Sequence, residues 1–382
     1  MLAQVGEGDA LAISAFWHSL VALDGSNHPV GPLLTWRDTV GDPPPLDPSA
    51  YHRRTGCFLH PAYWPAKIAR LAVEGARPAR FVSFADYLLL RLTGELQTTV
   101  SMAAGTGLFD PNRLDWDDET LEASGIRREQ LPPLGAEPVA GVFPAIGDGA
   151  CSNVGVGATG RGRVALTIGT SGAARILHTA SEWEPRPGLF LYRLDKERFC
   201  EGGALSDGGN LHAWLRATLS EFDAAGLAER PAASHGLVFL PFLGGERSLG
   251  WNPSRRGLVR GLSFATTPLD LVQAALEAVC YRFAAILDAI GVVESVVVTG
   301  GALRASPAWV QILADVLGRP LEVASIGEGS ARGAALVALE RLGFAPSAAS
   351  IARVVEPRAD RLEIHRRARE VHEAEINIEE GA

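Results

Sequence analysis

Three short stretches of this sequence combine residue types suited to phosphate chemistry. The first, Gly169-Thr-Ser-Gly172, follows the apolar run Val164-Ala-Leu-Thr-Ile168. A tight turn of small residues leaves backbone N–H groups and hydroxyls open to phosphate oxygens, with no bulk in the way. Taken singly, it reads first as a plain hairpin turn. The second is Val298-Thr-Gly-Gly-Ala302, an apolar run ending in paired glycines. Glycines at the carboxyl end of a strand let a flat ligand approach the backbone, in the crevice where α/β sheets bind nucleotides. The third is Ile146-Gly-Asp-Gly149, ahead of the small-residue run Ala150-Cys-Ser-Asn-Val-Gly155. Here Asp148 is either a turn residue or a carboxylate on an unobstructed stalk, able to take a proton from an attacking hydroxyl.

Other patterns fail on context. Gly155-Val-Gly-Ala-Thr-Gly160 has the spacing of a dinucleotide loop, but its strand follows the glycines instead of preceding them. Gly169-Thr-Ser-Gly-Ala173 lacks the last glycine of a nucleophile elbow. His52, Cys57 and His60 match no common zinc spacing and read as loop or packing residues, so no metal ligands are assigned.

The elements around these stretches follow from apolar patterning and punctuation. Leu11–Phe16 reads as a buried strand, and Ser83–Leu92 as a helix with Ser83 as its cap and Gly94 beyond its end. After Gly160 come short strands at Arg163–Ile168, Ala174–Leu177, Leu189–Leu194 and Phe199–Glu201, an antiparallel meander. Strands and helices then alternate: helix Asn210–Glu221, strand Leu237–Phe242, helix Pro268–Ile290, strand Ser295–Val298, helix Ser306–Leu317, strand Leu321–Ala324 and helix Ser330–Leu342. That alternation predicts a mixed α/β domain built on a sheet. Asp360–Glu380 is charged and reads as a helix.

Bulk properties exclude several classes. The 382 residues suffice for two or three domains. A net charge of −9 argues against nucleic acid or an acidic membrane surface as partner, since both demand a basic footprint. No apolar run reaches the roughly 18 residues of a membrane span. The four cysteines lie far apart without a paired motif, which fits buried thiols in a reducing cytoplasm.

In this order, the aspartate, the hairpin and the glycine pair resemble the FGGY family of carbohydrate kinases. Gly244-Gly-Glu-Arg-Ser-Leu-Gly-Trp-Asn-Pro253 with Arg256-Gly-Leu-Val-Arg-Gly-Leu262 resembles the family's second signature. Tyr87-Leu-Leu-Leu-Arg-Leu-Thr-Gly94 and Ser101-Met-Ala-Ala-Gly-Thr-Gly-Leu-Phe-Asp110 resemble its first domain, and Ala331-Arg-Gly-Ala-Ala-Leu336 a late helix. The resemblance covers about residues 11 to 345. The wording of Gly147–Gly155 and Gly202–Gly209 is most similar to gluconate kinases.

The resemblance implies an α/β fold of two ribonuclease-H-like (actin/hexokinase-type) domains flanking a cleft. Residues 1–158 would form the sugar-binding domain, incomplete at its start; 159–350 the ATP-binding domain; 351–382 a charged tail. It implies Asp148 as general base, with Gly147, Trp17, His18, Trp36 and Asp38 on the sugar side. Gly169, Thr170 and Ser171 match a phosphate loop. Gly209 and His212 match positions beside the nucleotide, and Gly300, Gly301, Ala302 and Ala305 match the adenosine segment. The implied reaction moves a phosphoryl group from ATP, with Mg²⁺, to a primary hydroxyl of a small sugar or sugar acid, gluconate first. Xylulose or another polyol is the alternative acceptor, and a homodimer is left open. An inactive homologue that binds nucleotide or a partner is the alternative of another class.

The sequence departs from the family in two places. The family opens with a strand-turn-strand carrying an acidic residue and a Gly-Thr turn, and nothing before Leu11 matches it. A start placed too late is the preferred reading over a naturally shortened chain, with central strands missing from the first domain. Val40 stands where the family often has arginine, and no Lys or Arg emerges as partner for a substrate carboxylate.

Overall fold

The computed structural model describes residues 10–381, except 220, 221, 223–225 and 346. Strand β1 (Leu11–Ala15) pairs in parallel with β2 (Val142–Gly147), from Leu11 opposite Val142 to Ala15 opposite Gly147. Among the described residues this sheet has two strands. Its carboxyl ends deliver Trp17-His18 and Asp148 side by side. Helix α1 (Trp64–Val73) belongs to the same half, as does α2 (Phe84–Thr93). The latter begins as expected, with Ser83 and Asp86 in a reciprocal capping box, and ends at left-handed Gly94.

The small-residue run after Asp148 is not a turn. Residues Asp148–Gly155 form helix α3, with Asp148 as its first residue and Gly147 as its cap. The rejected glycine pattern at 155–160 therefore begins at a helix end.

The second half carries a seven-stranded sheet. Its strands are β3 (Arg163–Ile168), β4 (Gly172–Thr179), β5 (Phe190–Arg193), β6 (Arg198–Leu205), β7 (Ser295–Thr299), β8 (Leu321–Ala324) and β9 (Ile351–Val355). The order is β9-β8-β7-β3-β4-β6-β5. The antiparallel β3–β4–β6–β5 part is the meander expected from the sequence, with β4 and β6 longer than their apolar cores. Strands β7 and β8 run parallel to β3. The Leu237–Phe242 expectation shrinks to a strand at Val238–Leu240 outside this sheet.

Helix α4 (Gly209–Thr218) starts one residue before the expected helix; the last two expected residues, Ser220 and Glu221, lie outside the described residues. Helix α5 (Pro268–Ile290) has the expected Thr267 cap and Pro268 start, and is buried along most of its length. The glycine pair after β7 opens a short helix, α6 (Gly301–Ala305), before α7 (Pro307–Leu317). Sequence reading passed over α6 because one turn has no periodicity to detect. Helix α8 (Gly329–Arg341) follows, and the charged terminal segment forms α9 (Ala359–Gly381), tied to the sheet by β9.

Helices α3 and α8 join the halves. A Cβ on Gly155 would lie 1.8 Å from the Gly329 carbonyl oxygen, and one on Gly333 1.8 Å from that of Cys151. Backbone meets backbone at both points, which only glycine permits. The Ser330 hydroxyl donates to the Asp148 carbonyl at 3.0 Å, and Arg332 to that of Gly155 at 2.7 Å. The position of Asp148 is thus fixed from the opposite half.

Candidate active site

Asp148 stands at the amino end of α3 on a floor made by Trp17. A Cβ on Gly147 would meet the Trp17 indole at 1.9 Å, and the indole Nε1 donates to the Ser101 carbonyl at 2.8 Å. The Ser101 hydroxyl accepts from the Gly147 amide at 3.1 Å. Burial pushes the Asp148 carboxyl up from its ordinary value; the Arg175 guanidinium, and more weakly that of Arg247, pull it back.

His18 has φ 67, a left-handed conformation uncommon outside glycine. Its Nδ1 is 2.6 Å from the Gly105 carbonyl, so the ring donates there. Burial, then Arg247 and Lys67, hold its pKa well below the usual histidine value and keep it neutral. Lys67 on α1 is fully buried and donates to the carbonyls of His18 at 2.6 Å and Thr35 at 2.7 Å. Burial brings its pKa down to about 7. Lys67 therefore ties the end of β1 to the turn holding Trp36. Asp38 closes that turn by accepting from the Thr35 amide at 2.6 Å and hydroxyl at 2.8 Å.

The nucleotide-side candidates converge through backbone contacts. Between β3 and β4, the Gly169 amide donates to the Ser171 carbonyl at 2.9 Å, and Thr170 stands exposed at the tip. The start of α4 docks on this hairpin: Gly209 donates to the Gly169 carbonyl at 2.8 Å and Asn210 to that of Thr170 at 3.0 Å. The positive end of a helix dipole therefore lies against the turn. Gly300 has φ 111, and a Cβ there would lie 2.2 Å from the Ile168 carbonyl oxygen. Ala302 neighbours Gly209, while Gly301 and Ala305 are exposed on α6. His212 sits one turn into α4, partly exposed, 6.5 Å from Trp309 between ring centres.

A cavity of about 320 Å³ joins the two sets, lined by Trp36 and His60 from the first half and by Thr170, Asn210 and Arg247 from the second. Of the first-half candidates Trp36 alone is in its wall; Trp17 and His18 are buried, and neither they nor Asp38, Gly147 and Asp148 line it. His52, Cys57 and His60, close in sequence, turn to different backbone partners: the Leu189 carbonyl, the Ala104 carbonyl and the Ala62 amide.

The C-terminal domain of the FGGY family of carbohydrate kinases matches residues 164–340, and the N-terminal domain matches residues 49–145. The chain belongs to this family. Among FGGY relatives, the gluconokinase of Bacillus subtilis (strain 168) is 29% identical, over 87% of this chain and 74% of its own. The xylulose kinase of Escherichia coli (strain K12) is 30% identical, over 86% and 75%. In structure, a xylulose kinase from Lactobacillus acidophilus superposes with a TM-score of 0.87 at 25% identity, covering 100% of this chain and 86% of that one. A gluconate kinase from the same organism gives 0.87 at 24%, covering 99% and 86%. The two-domain FGGY kinase fold expected from the motifs is thus the fold of this chain.

Three charged residues near these candidates carried no signal of their own in the sequence. Asp207, ahead of α4, is 3% exposed and accepts the amides of Gly244 and Leu243, yet its Oδ2 has no partner. Burial brings its pKa up to about 7. Arg175 on β4 lies against Gly149, with its Nε buried and unpaired. Arg247 follows Glu246 in the second signature. The glycine-rich loop around it was the one available signal.

Proposed function

We propose that this protein transfers the γ-phosphoryl group of ATP to the terminal hydroxyl of gluconate, forming 6-phosphogluconate. The observation that carries the proposal is the placement of Asp148: a carboxylate at a helix start, locked from both halves, under the charge of Arg175 and of Arg247, which lines the same cavity as the Thr170 hairpin. The choice of gluconate is supported by the gluconokinase relative and by the wording of the Asp148 and Asp207 segments. Residues 1–158 supply the sugar side, 159–350 the nucleotide side, and 351–382 brace the second.

Asp148 orients the primary hydroxyl and accepts its proton as the oxygen attacks phosphorus. A new P–O bond forms to the sugar while the bond to ADP breaks. Such a reaction gains mainly from positioning and charge stabilisation. The amides of the Gly169–Ser171 turn and the Thr170 and Ser171 hydroxyls hold the phosphate oxygens, helped by the α4 dipole. Gly209, Gly300, Gly301 and Ala302 provide a bulk-free surface for the nucleoside, bordered by His212 and Ala305. Trp36, Asp38, His18 and the Gly147–Trp17 floor shape the sugar side.

Magnesium binds such sites through one or two carboxylates plus phosphate oxygens. Asp207 fits that role, with its unpartnered buried oxygen next to Gly208, which packs on Ser171. When bound there, the ion would neutralise phosphate charge.

Replacing Asp148 tests the assignment. Asp148→Asn should cut sugar-dependent ADP release by roughly 10²–10⁴-fold and leave ATP binding nearly intact. Full activity in that variant would remove Asp148 from the role of base. In the wild type, activity should fall on acidification at a higher pH than for an ordinary carboxylate, because burial raises this group.

A further inference from the structure

The second signature presents, in the cavity wall, a cation with no ion-pair partner among the described residues. Glu246 is 2% exposed, and both its oxygens are engaged: Oε1 by Arg282 at 2.7 Å and Oε2 by Arg255 at 2.7 Å. That anchor fixes the loop and leaves no acceptor for the next residue. The Arg247 side chain has no hydrogen-bond or ion-pair partner among the described residues, and its Nε is shielded from solvent. Its guanidinium is held by aromatic faces instead, 6.0 Å from the ring centre of Trp36 and 5.8 Å from that of Trp251. Trp251 is itself stacked on Phe58 at 4.2 Å. The planar fork is therefore oriented in advance, at the wall of the 320 Å³ cavity.

The surroundings favour an anion. Cationic Arg37 lines the same cavity. The carboxylates nearby are spoken for: Asp38 closes its own turn, and Asp148 lies closer in charge to Arg175 than to Arg247. A guanidinium taken out of water without a partner is costly, and an incoming carboxylate relieves that cost. A carboxylate also matches the fork with two parallel hydrogen bonds. Arg175 lies against the start of α3 beside Asp148. Arg247 stands against Trp36 and Trp251, in the wall of the cavity that Thr170 also lines.

We propose that Arg247 receives the carboxylate of a sugar-acid substrate, making it the residue by which this cleft selects an acid over a neutral polyol. The inference rests on the kinase reading above for the direction in which the substrate lies. Arg247 is a binding residue for the end of the substrate that does not react, and the aromatic pair is its positioning frame.

Equilibrium titration of the full chain without ATP tests it, using gluconate and glucitol, a neutral polyol of the same carbon number. The wild type should bind gluconate more tightly than glucitol. Arg247→Gln should weaken gluconate by roughly 10- to 100-fold, the worth of a charge-assisted bidentate contact, and glucitol by less than about threefold. Arg247→Lys, which keeps the charge and loses the fork, should fall between and carries the test if the Gln variant does not fold. Equal losses for both ligands would overturn the inference and assign Arg247 to structure or to phosphate. A wild type without preference for gluconate would also overturn it. Sugar-dependent ADP release measured alongside separates the two readings. Turnover of xylulose with no gluconate preference would refute the carboxylate site and keep the kinase. Gluconate binding that depends on Arg247, without ADP release, would keep the site and refute the transfer.

Discussion

The two walls of the cleft are built by different means. In the first half, side chains do the shaping: the Trp17 indole presses on Gly147, Lys67 ties two loops together, and Trp36 and His60 face the cavity. In the second half, backbone does it: Gly209 at the start of α4 and Gly300 meet the Gly169 and Ile168 carbonyls too closely for a Cβ. The difference teaches why each side tolerates different change. A side-chain wall fails when its packing is disturbed; a backbone wall fails when bulk is added.

Two glycine substitutions sharpen this contrast. Gly147→Ala should have the larger effect, since its methyl group would fall 1.9 Å from the Trp17 ring and push the floor from under Asp148. Overpacking of this kind costs about 1–3 kcal/mol. Thermal melting should show the loss, and sugar binding should fall while ATP binding changes little. Gly209→Ala should do the reverse. Its methyl group would approach the Gly169 carbonyl oxygen to 2.5 Å, spreading the hairpin from α4. ATP affinity measured by calorimetry should drop about tenfold, the equivalent of roughly 1.4 kcal/mol, with gluconate affinity preserved. If both variants lose both ligands equally, the two walls act as one unit and the comparison breaks.

The smallest expected effect is a pH slope at Asp207. Burial holds its folded pKa at about 7, above the ordinary carboxylate value of about 4. The native state therefore holds this proton more tightly than the unfolded chain does. The associated stability is full below about 4 and is lost as pH rises through about 7. Asp207→Asn removes that term, so its melting temperature should gain on the wild type between pH 4 and 7. Parallel pH profiles would show that Asp207 is not buried as described. Magnesium with ATP should restore part of the wild-type deficit at the upper end if Asp207 faces the ion.

The same contrast explains what the sequence disclosed. Backbone-built features need glycine and small residues at fixed places, and those are visible: Gly169-Thr-Ser-Gly172, Gly300-Gly301 and the capped helices at Ser83, Thr267 and Ser306 all stand where patterning put them. Side-chain features depend on distant partners and leave no local mark. Lys67 is buried only because α1 brings it under His18 and Thr35, across 49 and 32 residues. Arg247 has no partner among the described residues, and the Glu246 beside it is occupied by Arg255 and Arg282. Helix α3 escaped notice because Gly, Asp, Ser and Asn dominate it; its stability comes from packing on α8, not from propensity. The expected break between the sheet domain and a charged tail also hid β9, whose alternation is short and carries an exposed arginine.

The central claim is that the two walls together move phosphate from ATP to a sugar acid. The most direct test is ADP release by the wild-type chain with Mg-ATP, across gluconate, xylulose and glycerol. The account predicts release stimulated most by gluconate. Bound ATP with no release on any of the three sugars would contradict it.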